Sequence, residues 1–215
     1  MIIVAVFFLS LYSFGVIAHE VFFEKEYEID LAVTEFIGKE ASPQRIKIME
    51  VLTFFGSSLF LFPAYLVLAG YFLVRKKFSA AIHIAVIGIS SFLLLHALKR
   101  LFQRPRPDLP LIQSLKTFSF PSGHALSSFV FCSILGYLVL QSNLSKIWKW
   151  ILIILLFIFS VSIGLSRIVL QVHYATDVIA GFCLGIFWVI VSFYIMNKVY
   201  PRKKVEIPIK ENAYQ

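Results

Sequence analysis

The stretch Ser166-Arg167-Ile168-Val169-Leu170-Gln171-Val172-His173-Tyr174-Ala175-Thr176-Asp177 gathers an Arg, a His and an Asp where an apolar chain should avoid charge. Ionisable groups at membrane depth are expensive, so their retention points to function. If the segment from His173 is helical, Asp177 lies one turn further on, and its carboxylate can accept a hydrogen bond from one ring nitrogen of the imidazole. The other nitrogen is then free to attack. A carboxylate that orients an imidazole and stabilises its developing positive charge follows catalytic-triad logic, except that here the imidazole itself can be the nucleophile. Taken alone, the trio fits a satisfied interfacial cluster equally well.

A second stretch with chemical content is Phe120-Pro121-Ser122-Gly123-His124, immediately before an apolar run. Ser122 is placed as a helix N-cap, and Gly123 lets the backbone approach a ligand closely. The free amides of the first turn then point at whatever anion sits there, and a phosphate would fit. His124 stands in that turn, positioned to give or take a proton. The third stretch is Lys99-Arg100-Leu101-Phe102-Gln103-Arg104-Pro105-Arg106-Pro107-Asp108, in which Pro105 and Pro107 stop a helix and fix the backbone around Arg106. Its four cations, by themselves, read as a headgroup-binding cluster that snorkels beside a span.

Positioning these groups falls to membrane helices. Of 215 residues, 59% are hydrophobic and 15% charged, and long uncharged runs recur throughout, which marks an integral membrane protein. The runs Ile2 to Ile17 (extending toward Phe23), Phe54 to Val74, Ser79 to Leu98, Ser122 to Leu140, Trp148 to Leu165 and Val178 to Met196 each approach the roughly 20 residues that cross a bilayer. The expectation is an all-α membrane protein with six transmembrane helices in one bundle, residues 1–215 forming a single domain. The first run lacks a basic leader and a small-residue cleavage site, so it reads as a retained span. The net charge of +8 and pI of about 9.5 do not indicate nucleic acid, because the cations sit in short loops and in the basic tail, residues 197–215. Cys132 and Cys183 lie in apolar runs without ligand-spaced neighbours and read as buried free thiols.

Two connections are long. Residues 18–53 are acidic, yet Ile29, Val33, Phe36 and Ile37 recur at helical spacing, which predicts an amphipathic helix on the membrane surface. Ser42-Pro43 then offers a cap and a first helical residue for a helix running through Ile46 and Met49 into the second span. A plain interfacial connector is favoured here over a substrate lid. The other long connection holds Lys99 to Pro121. Two spans separate the His124 segment from the His173 segment, so both emerge on one face of the membrane, together with Lys99 and Arg106. Cations, two histidines, a carboxylate and a helix N-terminus converging on one face are what phosphoryl transfer requires.

These residues resemble the type 2 phosphatidic acid phosphatases, a superfamily of bacterial membrane lipid phosphatases and, more distantly, vanadium haloperoxidases. The family motifs Lys-x6-Arg-Pro, Pro-Ser-Gly-His and Ser-Arg-x5-His-x3-Asp stand here without departure within residues 99–177: as Lys99 through Arg106-Pro107, as Pro121-Ser122-Gly123-His124, and as Ser166-Arg167 through His173 to Asp177. The resemblance implies that His173 is a nucleophile forming a phosphohistidine, that Asp177 orients it, and that His124 protonates the leaving group and then activates water. It implies that Lys99, Arg106, Arg167, Ser122 and the amide of Gly123 hold the phosphate oxygens, with no metal and no cofactor. His19, His83 and His96 match no motif and read as packing or interfacial residues. The substrate expected is a membrane lipid phosphate or pyrophosphate: phosphatidate, phosphatidylglycerophosphate, diacylglycerol pyrophosphate and undecaprenyl pyrophosphate all stay open. The rivals are a phosphotransferase of the same family and a non-catalytic transporter or lipid-binding scaffold. Sidedness rests on charge. The 20 Lys and Arg divide evenly between the faces, but the compact clusters Arg75-Lys76-Lys77 and Arg202-Lys203-Lys204 lie opposite the motifs. This places both termini in the cytoplasm and the site on the outer face of the cell membrane, and it tilts the choice toward undecaprenyl pyrophosphate.

Overall fold

In the computed structural model, which describes residues 1–24, 28–39, 42–113 and 117–199, six helical stretches are long and apolar enough to cross a membrane. They are Ile2–Phe23, Pro43–Val74, Phe78–Phe102, Gly123–Gln141, Lys146–Val169 and Ala175–Met196. The described residues hold no strand, and the chain is an all-α membrane protein. In chain order the helices are α1 (Ile2–His19, continued by a π-turn over Glu20–Glu24), α2 (Glu28–Lys39), α3 (Pro43–Phe54), α4 (Ser58–Val74), α5 (Phe78–Phe102), α6 (Gly123–Gln141), α7 (Lys146–Val169) and α8 (Ala175–Val199).

Large apolar side chains point outward, as lipid solvation allows: Leu59, Phe62, Leu66, Val67 and Val74 of α4 are all exposed. Inside, small residues bring the helices together, as at Ser128 and Ser160, whose hydroxyls meet at 3.3 Å between α6 and α7. The helix α6 touches α4, α5, α7 and α8, and its Leu126, Val130 and Ile134 form the main apolar cluster with Ile84, Ile87 and Leu184. At its start α8 passes very close: a Cβ on Gly181 would stand 2.7 Å from the Ser122 carbonyl.

Several boundaries differ from the sequence reading. The helix begun by Ser42-Pro43 forms, with Ser42 Oγ accepting from the Arg45 amide at 3.3 Å, but it does not run unbroken into the second span. The chain turns at Phe55, Gly56 and Ser57, and Ser57 caps α4 through the Phe60 amide. Gly disfavours a helix interior and Ser competes for its backbone, so both favour a break. The third span continues past Leu98 to Phe102, where Gln103 turns into the left-handed region at φ 47° just before Arg104-Pro105. Lys99 and Arg100 thus lie in the C-terminal turn of α5, where the helix dipole favours cations.

The helix α2 also corrects its expectation. It does not simply lie on the surface: Val33 and Ile37 pack against Ala125, Ile168 and Val178, while Ile29 and Phe36 stay exposed. The Gln171 side chain donates to the Thr34 carbonyl at 3.0 Å, and α2 sits on α7 and α8. Its Asp30 is buried. The part of the basic tail beyond residue 199, including Arg202, Lys203 and Lys204, lies outside the described residues, as do Lys25 and Lys116.

Candidate active site

His173 lies in the turn between α7 and α8, two residues before the helix that the spacing predicted for it. That turn is fixed by the Arg167 carbonyl, which accepts from the amides of Val172 at 3.1 Å and His173 at 3.3 Å. Asp177 follows in the first turn of α8, and its Oδ2 stands 3.3 Å from His173 Nδ1. The carboxylate is fully buried and over-determined: Oδ2 also accepts from the Tyr174 amide at 2.9 Å and from the Ser119 hydroxyl, and Oδ1 from Arg104 at 2.7 Å. Ser119 Oγ lies 3.2 Å from Nδ1 as well. With Nδ1 facing acceptors, Nε2 is the unprotonated nitrogen, and Arg106 Nη1 donates toward it at 3.3 Å. Burial pushes the imidazole down to about 3 even though Asp177 pulls the other way, so the ring is neutral at physiological pH.

Arg106 and Lys99 both reach the 117–119 loop beside His173, and Arg167 turns toward α3. Arg106 is clamped by the Val172 carbonyl at 2.7 Å and the Thr117 carbonyl at 2.8 Å, which aims its guanidinium along the His173 ring. Burial lowers its pKa, with Asp177 opposing, but a guanidinium has ample margin to stay charged. Lys99, in the last turn of α5, donates to the carbonyls of Phe118 at 2.6 Å and Ser119 at 3.1 Å, and so holds the loop whose Ser119 meets His173. Arg167 is buried and donates to Thr53 Oγ1 at 2.5 Å, while its Nε has no partner among the described residues.

Ser122 holds the N-cap position of α6, but its hydroxyl makes no cap; Oγ is buried with no partner among the described residues, and the Ser122 amide donates to the Asp177 carbonyl at 2.9 Å. Gly123 is packed tightly, since a Cβ there would lie 3.0 Å from Leu95 Cδ2 and 4.0 Å from Lys99 Cε. His124 lies in the first turn of α6, against the α3–α4 break: a Cβ on Gly56 would stand 3.0 Å from its ring. His96 Nδ1 lies 2.9 Å from the Phe92 carbonyl of its own helix, and His83 lines a cavity with Lys76 and Met196, so neither joins this network. Both Cys132 and Cys183 are free thiols, the second only partly buried.

The residue read as one of four snorkelling cations, Arg104, does not snorkel. It is 2% exposed, forks between Asp177 and Asp30 at 2.7 Å each, and lies 4.3 Å from the Tyr174 ring centroid. Burial works against its charge, but Asp177 and Asp30 outweigh it and raise its pKa. Asp30, Ser119, Thr53 and Thr176 were missed from sequence, because no motif spacing ties them to the histidines.

Residues 79–201 match the PAP2 superfamily. The chain belongs to this superfamily. Phosphatidylglycerophosphatase B of Bacillus subtilis is 35% identical over 143 residues, covering 65% of this chain and 70% of that protein. A lipid A 1-phosphatase of Rhizobium johnstonii is 28% identical over 174 residues, 69% of this chain and 67% of that one. Among solved structures, the PAP2 type phosphatidylglycerolphosphate phosphatase of Bacillus subtilis superposes with a TM-score of 0.80 at 28% identity, over 93% of this chain and 98% of its own. LpxE from Aquifex aeolicus follows with a TM-score of 0.61 at 27% identity, over 76% and 94%. As a PAP2 protein with six membrane helices, the chain is a multi-pass membrane phosphatase of the lipid phosphatase family.

Proposed function

We propose that this PAP2 protein hydrolyses the phosphate or pyrophosphate of a membrane lipid through a phosphohistidine at His173. The observation that carries the proposal is the two-sided environment of that imidazole: Nδ1 is held by Asp177 and Ser119, and Nε2 looks toward the Arg106 guanidinium. In the first step Nε2 attacks phosphorus, the bond from phosphorus to the leaving oxygen breaks, and His124 gives that oxygen a proton. In the second step water attacks the phosphohistidine, His124 takes the water proton, and inorganic phosphate leaves with Nε2 restored. Lys99, Arg106 and Arg167 stabilise the charge on the equatorial oxygens throughout. The unpartnered Ser122 Oγ and Arg167 Nε support this reading, since phosphate oxygens would satisfy both.

The named activity of the Bacillus relative makes phosphatidylglycerophosphate the first substrate to test. Undecaprenyl pyrophosphate stands beside it, because an outward site meets that carrier after its cargo is used. The experiment is phosphate release by purified protein from a panel of lipid phosphates and pyrophosphates. His173→Ala should abolish turnover and Asp177→Asn should lower it strongly; a His173→Ala protein of near-normal activity refutes the mechanism. Release of phosphate to a competing lipid alcohol instead of water identifies the phosphotransferase.

A further inference from the structure

Arg104 donates one nitrogen to Asp177 Oδ1 and the other to Asp30 Oδ2, each at 2.7 Å, with both carboxylates fully enclosed. Thr176 closes the cluster: its hydroxyl donates to Asp30 Oδ2 at 2.5 Å and accepts from Arg104 at 2.8 Å, and its amide donates to Asp30 Oδ1 at 3.0 Å. One cation therefore lies between two carboxylates. If Arg104 faced Asp177 alone, the pair would be neutral, and little field would remain for the positive charge that His173 acquires when Nε2 is phosphorylated and Nδ1 keeps its proton. With Asp30 drawing on the same guanidinium, the cluster carries a net negative charge, and Asp177 is its end nearest the imidazole.

We propose that Arg104 and Asp30 are positioning residues for the phosphohistidine step: Arg104 locks the Asp177 carboxylate in place, and Asp30 keeps the cluster anionic. The proposal rests on the reading of His173 and Asp177 given above. Because Asp30 belongs to α2, the connection between the first two spans contributes a positioning residue to the site. Val33, Ile37 and the Gln171-to-Thr34 bond seat that helix so that its carboxylate reaches Arg104.

The test uses the full-length protein in detergent with the best lipid substrate of the panel. Asp30→Asn, which keeps the size of the side chain but removes the charge and turns one of its two accepting atoms into a donor, should lower kcat by about 100-fold with KM almost unchanged. Arg104→Lys, which keeps the charge but not the fork, should retain more kcat than Arg104→Gln. Glu35→Gln, on the exposed face of the same helix and paired with Lys39 at 2.8 Å, should leave kcat unchanged. A kcat within about two-fold of wild type for Asp30→Asn overturns the proposal; so does a loss in which KM rises in parallel, or one that Glu35→Gln reproduces. If Asp30→Asn does not fold, Thr176→Val, which removes only the bridging hydroxyl, should still lower kcat by roughly 10-fold, and an unchanged kcat there is equally fatal. His173→Ala separates the two levels: activity in that variant sinks the phosphohistidine itself, whereas an inactive His173→Ala beside a normal Asp30→Asn sinks the positioning role alone.

Discussion

An imidazole held neutral by burial leaves a signature in stability as well as in rate. Unfolded, His173 takes a proton near its ordinary 6.5; folded, it resists protonation down to about 3. Between those values the unfolded chain holds the extra proton, so stability present above pH 6.5 is lost as pH falls, at up to about 1.4 kcal/mol per pH unit from this group. Thermal unfolding in detergent should show a smaller loss between about pH 7 and 5 for His173→Gln than for wild type, and an equal loss would place the imidazole in a more solvated setting. Vanadate, which adopts the five-coordinate geometry of phosphoryl transfer, should compete with substrate in initial-rate assays. At this scale His173, Asp177, Lys99 and Arg106 were legible, because their types and spacing already encode one chemical task. Asp30 was not: it sits in a run with Glu20, Glu24, Glu26, Glu28 and Glu35, and nothing local marks which carboxylate turns inward. Ser119 was hidden for a related reason, since a hydroxyl in a loop acquires meaning only when Asp177 and His173 fold onto it.

Between helices, close approach decides what can change. A Cβ at Gly181 meets the backbone carbonyl of Ser122, which cannot yield without moving the start of α6, whereas a Cβ at Gly56 meets the Ile163 side chain and the His124 ring. Gly181→Ala should therefore destabilise by about 1–3 kcal/mol and cost activity, because it pushes α8 away from the turn that carries Ser122 and His124. Gly56→Ala should cost less stability while still reducing turnover through His124. Melting temperature and phosphate release measured on both variants check the order, and a Gly181→Ala protein as stable and active as wild type contradicts the packing. The six spans were visible from hydropathy alone, but their ends were not. Hydropathy does not see Ser57 as a cap, or the left-handed Gln103 that lets α5 carry Lys99. The docking of α2 was half legible: its apolar stripe was there to read, but the stripe alone could not distinguish a lipid surface from the α7–α8 corner.

For the whole molecule, sidedness is an expectation with a direct check. Single cysteines at Lys76 and Leu109, in a background with Cys132 and Cys183 replaced, should respond differently to a membrane-impermeant thiol reagent on intact cells. Labelling at 109 and not at 76 is expected, and the reverse pattern overturns the outward site. Turnover should also survive chelator, with Lys99, Arg106 and Arg167 supplying the positive charge; loss of activity in EDTA with recovery on adding magnesium or manganese would assign that task to an ion. One acceptor of each of two buried guanidiniums, Asp30 for Arg104 and Thr53 for Arg167, lies before the region 79–201 that matches the superfamily. A chain is made from its N-terminus, so these acceptors have left the ribosome before either arginine is added. Two buried arginines thus enter the fold late, each beside a partner laid down by a stretch that the superfamily match does not cover.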